Sequence, residues 1–121
     1  MNVMENIEKE NQLRKMRQYV NQLTLPEKVI TFLKECYDFV KKDMGLIDNR
    51  YQFSEQFLNS NKFYLGKLVC ENKAPSLSCI STLIQNLAIL KDLPNIDTSI
   101  IEKIDDLIAE GQQLINQKLL R

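Results

Sequence analysis

The chain of 121 residues contains no histidine, which removes the commonest general base and a common transition-metal ligand. Ser-His-Asp and Cys-His catalysis are excluded with it. No P-loop, GxGxxG, HExxH or EF-hand pattern occurs, and the isolated glycines are not grouped to cradle a phosphate. The expectation is a non-enzymatic protein without cofactor or bound metal. Only three glycines and three prolines are present, too few for the many tight turns of an all-β protein. No apolar run approaches the roughly 18 residues of a membrane span. The first ten residues, Met-Asn-Val-Met-Glu-Asn-Ile-Glu-Lys-Glu, lack the basic and then apolar segments of a signal peptide. Cys36, Cys70 and Cys79 form no CxxC pair and read as small hydrophobes in a reducing compartment. A cytoplasmic protein that does not engage a membrane is expected.

What is present favours one helical domain. Hydrophobic residues make up 44% and charged residues 26%, enough apolar content to build a single core and too much for disorder. Formal net charge is zero, but its distribution is uneven. Residues 1–49 carry eight basic and eight acidic side chains, residues 50–91 five and two, and residues 92–121 three and six. The middle is therefore basic and the end acidic.

Local signals divide the chain. Residues 1–23 read as an N-terminal helix with a polar first half and Met16, Tyr19, Val20 and Leu23 at helical spacing. Thr24-Leu25-Pro26-Glu27 reads as a capping box that opens a second helix. Val29, Leu33, Cys36, Tyr37, Val40 and Met44 then form a broad stripe, widened by Ile30, Phe32 and Phe39. Gly45 suits a helix C-terminus, so a break is expected near 45–53. Ser54, Asn61 and Ser76 are placed to cap short helices at about 54–59, 61–71 and 76–91. Asp97 can cap a last helix over 97–120, whose apolar face includes Ile100, Ile101, Ile104, Leu107, Ile108, Leu114, Ile115 and Leu119, with Gly111 in the same stripe. The fold class expected is all-α: a compact domain of five or six helices, with a helical core over 24–91 and a long C-terminal amphipathic helix.

The middle carries the one informative pattern, Phe53-Ser54-Glu55-Gln56-Phe57-Leu58-Asn59-Ser60-Asn61-Lys62-Phe63-Tyr64-Leu65-Gly66-Lys67-Leu68, followed by Asn72-Lys73-Ala74-Pro75-Ser76-Leu77. It resembles the phage-repressor (Cro-type) helix-turn-helix over about residues 53–87. In that motif two short helices meet at a tight turn and the second enters the DNA major groove. The likeness extends through Tyr37, Val40, Gly45-Leu46 and Tyr51-Gln52-Phe53-Ser54 to small uncharacterised bacterial and phage proteins. The sequence departs from the repressors at Asn59, where glycine is usual, and at Val69, where glutamate is common. The resemblance implies first-helix contacts from Phe57 and Leu58, a turn at Asn59-Ser60, and a recognition helix with Leu65 and Leu68 buried. Double-stranded DNA would then be met by Asn61, Lys62, Phe63, Gly66, Lys67 and Lys73. The lysines would face phosphates, Asn61 a base edge or phosphate, and Phe63 a thymine methyl. A solvated or structural role for each is the alternative: Lys62 and Lys67 as surface charges, Asn61 as a cap, and Phe63 with Tyr64 in the core.

Two further expectations concern the last helix. Ile104, Leu107, Ile108, Gly111, Leu114 and Ile115 suit a homodimer or partner seam, or else packing on the chain's own second helix. Glu102, Asp105, Asp106 and Glu110 read as a solvated acidic face. In a second functional reading that face belongs to a protein-binding module, such as an inhibitor seated in the basic channel of a nucleic-acid-handling defence complex.

Overall fold

Thr24 opens the first described helix because both halves of its capping box form. The Glu27 backbone N–H donates to Thr24 Oγ1 at 3.4 Å, and the Thr24 N–H donates to Glu27 Oε2 at 3.0 Å. The computed structural model describes residues 24–119, so the helix expected over 1–23 lies outside the described residues. Five α-helices and one π-helical turn occur, with no strand among the described residues. The all-α architecture and the long C-terminal helix are as the sequence implies.

Helix α1 (Leu25–Asp38) runs directly into a π-helical turn (Phe39–Asp43). The turn closes at Gly45, whose φ of +65° is the left-handed conformation that glycine adopts without a Cβ penalty. Helix α2 (Arg50–Gln56) follows, then α3 (Tyr64–Glu71), α4 (Leu77–Leu90) and α5 (Thr98–Leu119). Ser76 caps α4 by accepting from the Cys79 N–H. Asp97 precedes α5 and accepts from the Ser99 N–H through Oδ1.

The core sits where α5 packs across α4 and α1. Val29, Phe32, Leu33, Ile80, Leu83, Leu87 and Ile104 are all fully buried there. The apolar stripe of α5 faces this core, so of the two expectations for it the packing within the chain is the one the structure shows. Ile104, Leu107, Gly111 and Leu114 are buried within the chain, and half-buried Ile108 and Ile115 pack on the same cluster. The physical reason is reach: α1 and α4 each bring an apolar face to α5, and together they cover its stripe. Gly111 allows this approach. A Cβ built there meets Phe32 Cζ at 2.9 Å and Ile84 Cδ1 and Cγ1 at 3.0 Å. The close neighbours are side chains rather than another backbone.

Two boundaries differ from the sequence reading. Helix α2 begins at Arg50, capped by Asn49, whose Oδ1 accepts from the Gln52 N–H at 3.1 Å. Helix α3 begins at Tyr64 rather than near 61. Asn61 caps a turn instead: its Oδ1 accepts from the Phe63 N–H at 2.9 Å and its carbonyl from the Tyr64 N–H. The connection spans 57–63, longer than a tight helix-turn-helix turn. Phe57 and Leu58 are buried as expected, but they lie in this connection rather than inside a helix.

Candidate nucleic-acid interface

The α2–α3 unit is seated by a few specific contacts. Phe53, fully buried, packs edge-on to Tyr37 of α1 and stacks with Phe57, with ring centroids 5.7 Å apart in both pairs. From α4, Asn86 Nδ2 donates to the Phe57 carbonyl at 2.9 Å and to that of Gln56 at 3.4 Å. These bonds satisfy carbonyls left free at the end of α2. Ser54 is the one buried polar residue among those described. Its Oγ accepts from the Leu65 N–H at 3.1 Å, and its carbonyl accepts from the Ser60 N–H at 2.9 Å. Ser54 does cap a helix, but that helix is α3, eleven residues on, and not its own. Phe63, in the N-cap position of α3, offers no side-chain acceptor. Its place is taken by Ser54.

The connection turns sharply at Asn59, which holds a left-handed φ of 49°. Asparagine is among the few side chains that visit this region readily. Asn72 closes α3 in the same conformation, φ 51°.

Leu65 and Leu68 point into the core, so the opposite side of α3 faces outward. Asn61, Lys62, Phe63, Lys67 and Lys73 are exposed and Gly66 is half-exposed. Phe63 retains 56% of its accessible surface, so it is not a core residue, whereas Tyr64 packs partly against the core. Two hollows flank these residues. One, of about 450 Å³, is lined by Arg50, Tyr51, Lys62, Phe63, Gly66 and Lys67. The other, of about 480 Å³, is lined by Asn61, Phe63, Tyr64, Lys67, Leu68, Glu71, Lys73 and Ala74. Phe63 and Lys67 border both, and all six sequence-predicted residues therefore share one continuous face.

Arg50 and Tyr51 are additions to that face. Tyr51 is 50% exposed, and its ring meets Phe63 edge-on with centroids 5.4 Å apart. Lys62 Nζ lies 5.1 Å from the Phe63 centroid and 5.9 Å from that of Tyr51, within cation–π range of both. The signal in the sequence is phase: on a helix holding Phe53 in the core, a residue two positions earlier points away from it. Between residues 50 and 73 the charged groups are Arg50, Lys62, Lys67 and Lys73 against Glu55 and Glu71, which leaves the face basic. Lys73 and Glu71 form an exposed pair at 3.6 Å, weak in water.

In the C-terminal acidic set, Glu102, Asp105 and Asp106 are exposed, as expected of a solvated face, and Glu110 is half-buried. Asp105 pairs with Lys91 at 2.8 Å. Glu110 instead lies beside Glu35 of α1, at a small hollow also lined by Lys28, Thr31 and Gln113. Burial, then the neighbouring Glu35 charge and a hydrogen bond to it, push the Glu110 carboxyl up from 4.5 to about 7. Burial likewise holds the Cys36 thiol well above its ordinary range. Among the described residues, no cluster of three or more Cys, Asp or Glu is arranged to hold a metal ion, and no helix is long and apolar enough to cross a membrane.

Neither the curated proteins nor the solved structures yield a match to this chain. A family model does match, over residues 33–121, from the second half of α1 to the end of the chain, and the protein belongs to that family of unknown function, DUF6626.

Proposed function

We propose that the protein is a DNA-binding regulator of helix-turn-helix type, which presents the connection before α3 and the outer side of α3 to DNA. The observation that supports this reading most is convergence. Asn61, Lys62, Phe63, Gly66, Lys67 and Lys73 share one exposed face, with Arg50 added to it and Leu65 and Leu68 turned inward. Lys62, Lys67, Lys73 and Arg50 serve to neutralise phosphates, which supplies affinity without sequence information. Asn61 and Phe63 stand at the start of α3, where a recognition helix meets base edges. Backbone approach is eased at Gly66, where no atom lies within 4 Å of a built Cβ.

The test is titration of mixed duplex DNA as salt is raised, with the wild type beside a Lys62→Ala/Lys67→Ala double variant. Log affinity should fall linearly with log salt, and the variant should bind more weakly with a slope reduced by about 2, roughly one for each phosphate that is no longer neutralised. A folded wild type that fails to bind at low salt overturns the proposal and turns attention to a protein partner for the same face.

A further inference from the structure

Neutralising phosphates does not explain why two large aromatic rings stand in water on this face. Tyr51 and Phe63 are half-exposed or more, Tyr51 on α2 and Phe63 at the start of α3, and meet edge-on at 5.4 Å. The exposed ring pair is held in a defined geometry rather than scattered. Arg50, Lys62 and Lys67 surround it, at the rim of a hollow of about 450 Å³. Lys62 lies over both rings, so a phosphate that draws its ammonium away would uncover the ring faces.

Gly66 lines the same hollow. In mid-helix a glycine costs about 1 kcal/mol relative to alanine. Packing does not require one here, since a Cβ would meet open space. A side chain at this position would project into the hollow, and its absence keeps the floor beside Phe63 clear.

A closed duplex hides the faces of its bases, whereas an unpaired base offers a π-face to any aromatic ring beside it. Cationic side chains interleaved with exposed aromatics are the arrangement that binds single strands, through charge neutralisation and stacking together. We infer that Tyr51 and Phe63 form a stacking platform for unpaired bases, so that this face takes single-stranded or locally opened DNA in preference to closed duplex. The inference rests on the DNA-binding reading above and narrows its substrate class.

The experiment compares three forms of one sequence: a single strand of about 16 nucleotides, enough to span such a site, its closed duplex, and the duplex with a central mismatched bubble. Each is titrated with wild type, Tyr51→Ala, Phe63→Ala and Tyr51→Phe, after circular dichroism has verified folding. The wild type should bind the strand and the bubble more tightly than the closed duplex. Each alanine variant should lose about 5- to 150-fold on the strand and bubble, the range for one stacked base; Tyr51→Ala should change little on the closed duplex, and Phe63→Ala should lose less there than on the strand. Tyr51→Phe should keep the preference, because a ring suffices. Closed duplex bound as tightly as single strand, or alanine losses equal on all three forms, overturns the stacking inference and leaves the DNA-binding proposal standing. Absence of binding to any form overturns both.

Discussion

In the body of the molecule, helices α1, α4 and α5, of 14, 14 and 22 residues, meet along apolar faces that bury Phe32, Leu83, Leu87 and Ile104 completely. Helices α2 and α3 have only seven and eight residues, too short to be stable alone in water, and are positioned by Phe53, Asn86 and Ser54. Polar groups that in the body face water are here part of the fastening. The body therefore supplies stability through area. The α2–α3 unit supplies a surface, and its orientation depends on a few directed bonds that tolerate little change.

The sharpest way to break that contrast is Ser54→Ala. It removes the acceptor for the buried Leu65 N–H and leaves that donor without a partner. A stranded buried donor costs about 1–3 kcal/mol, so urea unfolding should show a loss near 2 kcal/mol. Because the bond fixes the start of α3 against α2, DNA affinity should also fall, although Ser54 itself is fully buried and touches no ligand. A loss below about 0.5 kcal/mol would mean that Leu65 finds another acceptor, and that area rather than direction holds this unit too.

The same contrast explains which parts of the fold are legible in the sequence. The body is readable because long amphipathic stripes and the caps at Thr24, Ser76 and Asp97 are local signals, and each appears where its spacing places it. The α2–α3 unit is only partly readable. Ser54 and Asn61 are capping residue types, but whether a cap serves its own helix, a turn or a distant helix is decided by tertiary approach. Of the six candidate interface residues only Gly66 and Lys67 lie within α3, where phase relative to Leu65 and Leu68 fixes the outer side; Asn61, Lys62, Phe63 and Lys73 stand in the segments that flank it. Arg50 and Tyr51 escape the sequence reading because they sit before the expected helix start, and phase against Phe53 turns Tyr51 outward only once α2 is known to begin at Arg50. Pairing of Glu110 with Glu35 joins residues 75 positions apart, and no local pattern encodes it.

Two glycines turn the comparison into a matched pair. Alanine gains up to about 1 kcal/mol over glycine within a helix, so any difference between the sites comes from space. At Gly111 the added methyl overlaps Phe32, which is fully buried and cannot swing aside, and Ile84. Overpacking of that kind costs about 1–3 kcal/mol, and Gly111→Ala should be net destabilising by about 1 kcal/mol. At Gly66 the methyl meets nothing, and Gly66→Ala should be stabilising by up to about 1 kcal/mol. Thermal or urea unfolding of both variants checks the opposite signs. Equal signs would show that the body has slack, or that the hollow beside Phe63 is less open than it stands.

The smallest expected effect lies in the electrostatic conflict between α5 and α1, and it has a definite pH direction. Glu110 titrates near 7 in the folded chain and near 4.5 when unfolded, so the folded state favours the neutral acid. The unfolded chain releases its proton first as pH rises. The contribution of the protonated carboxyl is thus complete below about 4.5 and is lost as pH climbs through 7. Glu110 is only half-buried and solvent screens the Glu35 charge, so the loss should be on the order of 1 kcal/mol or less rather than the full value of the shift. Glu110→Gln fixes a neutral side chain that can still hydrogen-bond to Glu35. It should therefore flatten the stability profile between pH 5 and 8 and leave the variant more stable than wild type at the alkaline end, by on the order of 1 kcal/mol or less. Urea midpoints collected across that range measure the slope directly. An unchanged slope would place the Glu110 carboxylate in water and remove this electrostatic cost of packing α5 against α1.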